Sequence, residues 1–260
     1  MARTGQGAAL TAAHRAQQLA VRAGSLRELF TLWKMVDPTD LSGTIDVFVR
    51  AALILVDQGY DESGAAASAY FGLFRQAERV AGAAPAVRAA PRLERAYVAG
   101  QVRGAALKGI ITARRAGVSV AVAHDRGLVR VAGAVSKLVL AGGRQTLISA
   151  VDEDPRALGW SRVTSGDPCA FCRMLASRGP VYASRKLADF ETHDSCACTP
   201  EPGYARGLTQ QAQQWRREYD TAQQVARASG AGSSGTDNDA LNNYRRYLSG
   251  ASTTAPEGAG

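Results

Sequence analysis

Four cysteines occur in this chain of 260 residues, Cys169, Cys172, Cys196 and Cys198, and one of its three histidines, His193, stands among them. Cys169 and Cys172 form a C-x-x-C. His193, Cys196 and Cys198 form an H-x-x-C-x-C, with twenty residues between the two clusters. Such a set can ligate a metal, form disulfides or carry thiol redox chemistry. Zinc takes four sulfur or nitrogen ligands in a tetrahedron, and a C-x-x-C turn presents two thiolates together. The second cluster then supplies two more, so Cys169, Cys172, His193, Cys196 and Cys198 are five candidates for four positions, with Cys169 and Cys172 the firmer pair. A site filled by four protein ligands leaves no open position for a catalytic water, so the expected role is structural.

The compartment bears on the alternatives. The start, "MARTGQGAALTAAHRAQQ", lacks the apolar segment of a secretory signal. No stretch approaches the roughly 20 apolar residues of a membrane span. Synthesis and folding in the cytoplasm are expected, where thiols stay reduced. A C-x-C pair is also read as a poor disulfide. Thioredoxin-type chemistry expects a βαβ context around C-x-x-C, and none is legible. Zinc is the leading reading; disulfides formed later in an oxidising setting, and redox-active or unligated thiols, are the alternatives.

Elsewhere the chemical signal is weak. His14 reads as a surface residue on a polar helix. His124, beside Asp125 in an apolar run, reads as a partly buried structural histidine. Ser136-Lys137 and Ser184 near Lys186 are Ser-Lys pairs of a kind common by chance. No G-x-S-x-G, H-E-x-x-H or phosphate-binding loop is present. No catalytic residue and no cofactor-binding residue is assigned.

The clusters need elements to position them. With 46% hydrophobic and 21% charged residues the chain can build a core. The expected fold class is mainly α: a helical N-terminal domain over 1–150, a small loop-rich zinc-stapled module over 151–203, a long amphipathic helix over 204–228, and a flexible linker, short helix and disordered tail over 229–260. In the helical part, Thr11–Val21 reads as one helix. Ser25 and Glu28 read as a capping box opening a second, which Asp37-Pro38 ends. Thr44 reads as the next cap, Gly59 as a stop, and Ser63–Ala81 as another helix. Arg92–Ala116 and Val118–Leu140 follow; the valine alternation of the latter leans towards strand, but its length and lack of a hairpin signal favour helix. The formal net charge of +8 and pI near 9.6 favour nucleic acid or another acidic partner.

The module also resembles a known family. Gly159-Trp160-x-Arg162-Val163, Ser165-Gly166, Cys169-Ala170-x-Cys172, the run from Met174 to Tyr182 and His193-x-x-Cys196-x-Cys198 are similar to phage minor head proteins of the MuF type, in the version encoded beside the portal gene in tailed phages of actinobacteria. Asp194 stands where the broader pattern usually has proline. The resemblance implies a virion component, in the capsid interior or at the portal vertex, that works with the portal, scaffold and major capsid protein and affects DNA packaging or ejection. Packaged DNA is a further expected partner, and a membrane is not. Genes in this position are often labelled capsid maturation protease, which is the alternative function.

Overall fold

The computed structural model describes residues 2–164, 166, 168–180, 192, 194–229 and 237–250. Among these, the elements are α1 (Gly5–Trp33), α2 (Leu41–Ala77), α3 (Arg95–Arg115), α4 (Val120–Glu153), β1 (Gly159–Val163), α5 (Ala170–Ala176), β2 (Thr199–Gly203), α6 (Gln210–Ala228) and α7 (Asp237–Leu248). The fold is mainly α, with a two-stranded antiparallel ribbon where only loop was expected. The ribbon escaped the sequence pattern because β2 reads Thr-Pro-Glu-Pro-Gly, and proline is a poor strand residue away from an edge. Among the described residues each strand pairs on one side only.

The long helices α1–α4 share one core. Leu29, Trp33, Phe48, Val56, Val102, Ile110, Val135 and Val139 are all buried within it. Full burial of a side chain of this size stabilises by about 1.5–3 kcal/mol, so packing overrides the local stop and start signals. Ser25 does not open a helix: it is buried inside α1, and its hydroxyl donates to the Val21 carbonyl. The true cap of α1 is Thr4, whose Oγ1 accepts from the Gly7 N–H at 2.9 Å. Asp40, not Thr44, caps α2 and accepts from the Gly43 N–H. Gly59 does not end α2 but lets it approach α1 and α4: a Cβ there would stand 2.7 Å from Ser25 Oγ and 2.9 Å from a Val139 methyl.

Helix α4 organises the rest. At 34 residues it is about 51 Å long, and it touches α1, α2, α3 and both strands. Gly142 and Gly143 seat it against α2. A Cβ on Gly142 would lie 2.1 Å from the Tyr60 carbonyl oxygen, and the Gly143 N–H donates to Ser63 Oγ at 2.9 Å. The helix ends at Asp154, whose carboxylate accepts from Arg75 Nε at 2.9 Å and from the Tyr204 hydroxyl at 2.9 Å. That buried group ties α2, the end of α4 and the residue after β2 together.

Beyond the ribbon, α5 packs on the α6–α7 pair through Ala170, Met174, Leu175, Ala222, Leu241 and Tyr244. Along α6, Ala212, Ala222 and Ala226 are buried while Trp215 and Tyr219 are only half covered. The expected linker over 230–236 and the tail over 251–260 lie outside the described residues.

Candidate metal centre

The antiparallel ribbon brings the two cysteine clusters together. Val163 pairs with Thr199, so the residues just past the open end of β1 lie beside Cys198. The chain then reaches Cys169, the N-cap of α5, and Cys172 falls in the first turn of that helix. On the other side, Cys196 and Cys198 lead directly into β2. Sequence separation is therefore closed by strand register.

Cys172, Cys196 and Cys198 are buried, with their sulfurs all within 4.8 Å of one another. Cys172 Sγ and Cys196 Sγ are 3.8 Å apart. A tetrahedral zinc with sulfurs at about 2.3 Å would set neighbouring sulfurs about 3.8 Å apart, so the donors fit a thiolate-bound divalent ion. All four cysteines are free thiols, and Cys169 is exposed. His193, Ser184 and Lys186 lie outside the described residues.

Two buried arginines complete the surroundings. Arg144 of α4 is 4% exposed. Its Nε donates to the Cys198 carbonyl at 3.0 Å and its Nη2 to the Cys196 carbonyl at 2.6 Å. Arg162 of β1 is 1% exposed, places Nη1 4.0 Å from both Cys172 Sγ and Cys196 Sγ, and lies 5.9 Å from the Phe171 ring centroid. Burial pulls the Arg144 pKa down to about 10, opposed by the Cys196 and Cys198 sulfurs; the group stays cationic at neutral pH. Cys196 is held below the ordinary thiol range, because it accepts from the Cys172 and Cys198 thiols and faces Arg144. Cys172 is pushed up by donating to Cys169, Cys196 and Cys198. Within the cluster Cys196 is thus the sulfur favoured as the anion, the form that ligates metals.

Docking to α4 fixes the second cluster. Ser195 has φ +68°, a left-handed conformation that costs a non-glycine residue about 1–2 kcal/mol. Its N–H donates to the Gly133 carbonyl at 3.3 Å. A Cβ on Gly133 would stand 3.0 Å from Asp194 Cβ, so glycine keeps that turn seated. Sequence reasoning missed both arginines as parts of the site. Arg162 lies within Gly159-Trp160-x-Arg162-Val163, part of the pattern that carries the family resemblance, and Arg144 is a lone charge in an apolar helical run.

The other candidates have structural surroundings. His14 is not a surface residue: it is 4% exposed and stacked on Tyr70 with ring centroids 4.4 Å apart. Burial lowers its pKa to about 4. The sequence hides this burial because the residues around His14 on α1 are mostly small or polar and Tyr70 lies on α2. His124 Nε2 lies 3.0 Å from the Val36 carbonyl oxygen, and its ring stacks on Trp33. Ser136 Oγ donates to the Ala132 carbonyl at 2.8 Å and accepts from Arg22 Nε at 3.1 Å.

The family model for VG15 protein matches residues 6–222, which runs from α1 into α6 and includes both the helical body and the cysteine module. The chain belongs to the VG15 family. Over 62 residues it is 47% identical to the Gene 15 protein of Mycobacterium phage D29, a match covering 20% of this chain and 22% of that protein. The matched part therefore spans about a fifth of the relative's length. No solved structure matches. This VG15 chain thus has a phage-encoded relative, and among its described residues no helix is long and apolar enough to cross a membrane.

Proposed function

We propose that this VG15 chain is a MuF-like minor head protein, acting at the portal vertex or capsid interior with the portal, scaffold and major capsid protein. In this reading a structural zinc ion staples the module to the helical body. The observation that carries it is the convergence of Cys172, Cys196 and Cys198 beneath two buried guanidinium groups. A structural ion closes the module, and α4 hands its position on to the four-helix body through Arg144 and Gly133.

Charge balance selects the ligands. Buried charges are stable only when paired. Zinc bound by four thiolates carries two net negative charges, which Arg144 and Arg162 cancel; three thiolates and a neutral histidine would leave one positive charge over. Cys169, which is hydrogen-bonded to Cys172, is therefore the fourth ligand, with His193 outside the set. Metal analysis of the purified chain tests this: about one zinc per chain is expected, lost in Cys169→Ser and kept in His193→Ala. The reverse pattern would make His193 the ligand. Co-expression with portal, scaffold and capsid protein tests the assembly role; procapsids that form without incorporating the chain would refute it.

A further inference from the structure

One helical hairpin carries a large positive surplus. Between residues 95 and 137 it has eight Lys or Arg and one acidic residue, Asp125, a surplus of seven out of the net +8 of the whole chain. This stretch is α3 and the first half of α4, joined by the short turn after Arg115 into an antiparallel hairpin. The hairpin closes at Gly109 and Gly127, where a Cβ on Gly109 would stand 2.7 Å from the Gly127 Cα.

Helix geometry sets where the cations go. Each residue turns the helix by about 100°. In an antiparallel pair, stepping one residue back from the contact on both helices therefore turns to the same side. One residue forward, Ile110 and Leu128 face the core. One residue back, Lys108 and Arg126 both face solvent. Arg115, seven residues after Lys108, and Arg130, four after Arg126, repeat that direction. Lys137, half-buried, continues it along α4.

Lys108, Arg115, Arg126 and Arg130 are exposed, and among the described residues none has a carboxylate within ion-pair reach. The exceptions on the hairpin are elsewhere: Arg103 pairs with Asp46, and Arg114 donates to the Pro38 carbonyl. Among the described residues the acidic groups near the ridge are Asp125, next to Arg126 in sequence, and Asp194, which abuts Gly133. Helix α3 contains no acidic residue. On its solvent side Gln101, Gly104 and Thr112 lie in line with Lys108 and Arg115, and a Cβ on Gly104 would meet nothing within 4 Å. On α3 the surface between the cations is therefore low and uncharged, and on α4 the exposed Val122 and Val129 stand beside Arg126 and Arg130.

We infer that this α3–α4 ridge binds the phosphate backbone of double-stranded DNA without reading its sequence. A row of unpaired Lys and Arg matches a polyphosphate, whose strands each carry a charge every 3.4 Å along the axis. Gln and Thr side chains between the cations supply neutral donors to phosphate oxygens. The aromatic anchors typical of a protein-binding hot spot are absent from the line of Lys108, Arg115, Arg126 and Arg130. The inference stands on charge placement and does not depend on the portal reading or on the metal.

The test uses the full chain and a fluorescein-labelled 30-base-pair duplex of random sequence, read by anisotropy from about 50 to 300 mM salt. Binding should weaken steeply with salt. The triple variant K108Q/R126Q/R130Q should reduce the slope of log K against log salt by about 2.7, since each phosphate contact contributes about 0.9. A control variant on α6, R216Q/R217Q/R227Q, should leave the slope unchanged. An equal fall in both variants would mean undirected charge attraction and overturn the site, as would a triple variant that binds duplex like the parent. Loss of portal co-purification in the triple variant with duplex binding intact would assign the ridge to an acidic protein instead. Helicity and zinc content measured on the same samples separate a folding or metal defect from loss of the ridge.

Discussion

The helical body and the cysteine module are held together by opposite means. In α1–α4, Phe48, Phe71, Phe74, Ile110 and Leu147 are wholly buried, and apolar contact runs the length of α2 and α4. In the module, the small cluster around the sulfurs consists of Cys172, Cys196 and Cys198 with Phe171 against them; further cohesion comes from ribbon pairing, arginine-to-carbonyl bonds, the α5 contact with α6 and α7, and Trp160 of β1, which is buried in one cluster with Phe71, Phe74 and Leu147 of the body. The body's cohesion grows with buried area. The module's depends on a few directed interactions, each costly to lose. A small unit of this kind is where a bound metal contributes most, because its binding energy becomes folding energy.

The largest effect should come from the sulfurs. Cys172→Ser or Cys196→Ser should abolish zinc binding, which in zinc-finger peptides is worth about 10–16 kcal/mol. The module should become protease-sensitive while far-UV circular dichroism of the body barely changes. Cooperative loss of the whole helical signal would show that the two regions are one folding unit. Next is Arg144→Met, which leaves the Cys196 and Cys198 carbonyls without their donor and should cost about 2–4 kcal/mol in denaturant unfolding, with weakened zinc retention. Lysine should not rescue it, because one ammonium cannot reproduce the two-pronged geometry. Unchanged zinc affinity in both variants would remove Arg144 from the site.

A pH experiment addresses the body alone. His14 titrates at about 4 when folded, against 6.5 as its ordinary value. The unfolded chain therefore binds this proton first. Stability is fully present above pH 6.5 and falls as pH drops towards 4, by about 3 kcal/mol in all at 1.36 kcal/mol per pH unit. Measured in a Cys172→Ser background, so that metal loss adds nothing, His14→Phe should flatten this slope. A slope that survives the substitution would place the acid sensitivity elsewhere. The smallest effect is expected at the seam: Gly133→Ala should cost about 1 kcal/mol and speed proteolysis near Asp194 without moving the body's unfolding midpoint. A shift of that midpoint would mean that the seam stabilises both regions.

Legibility in the sequence followed the range of the forces involved. The helix at Arg95–Arg115 matches the expected 92–116, whereas that at Val120–Glu153 was legible only as far as Leu140, and by its length and lack of a hairpin signal rather than by its valine spacing. The breaks expected at Ser25 and Gly59 were misplaced, since a local signal worth about 1 kcal/mol yields when a continuous helix buries Leu29, Trp33, Val56 and Tyr60. Cysteine spacing pointed to a metal, whereas β2, with its two prolines, carried no strand signal at all. Arg144 and Arg162 could be recognised as parts of the site only once the fold had closed over them.

By itself the sequence determined the helical class, the cysteine pattern and the resemblance of the module, because residue type and spacing are local properties. Tertiary structure alone decided which sulfurs are buried together, that Arg144 of α4 reaches across to the carbonyls of Cys196 and Cys198, and that Lys108 and Arg126 share one face. These relations join residues distant in sequence. They exist only when helix crossing and strand register set the distances over which charges and sulfurs interact.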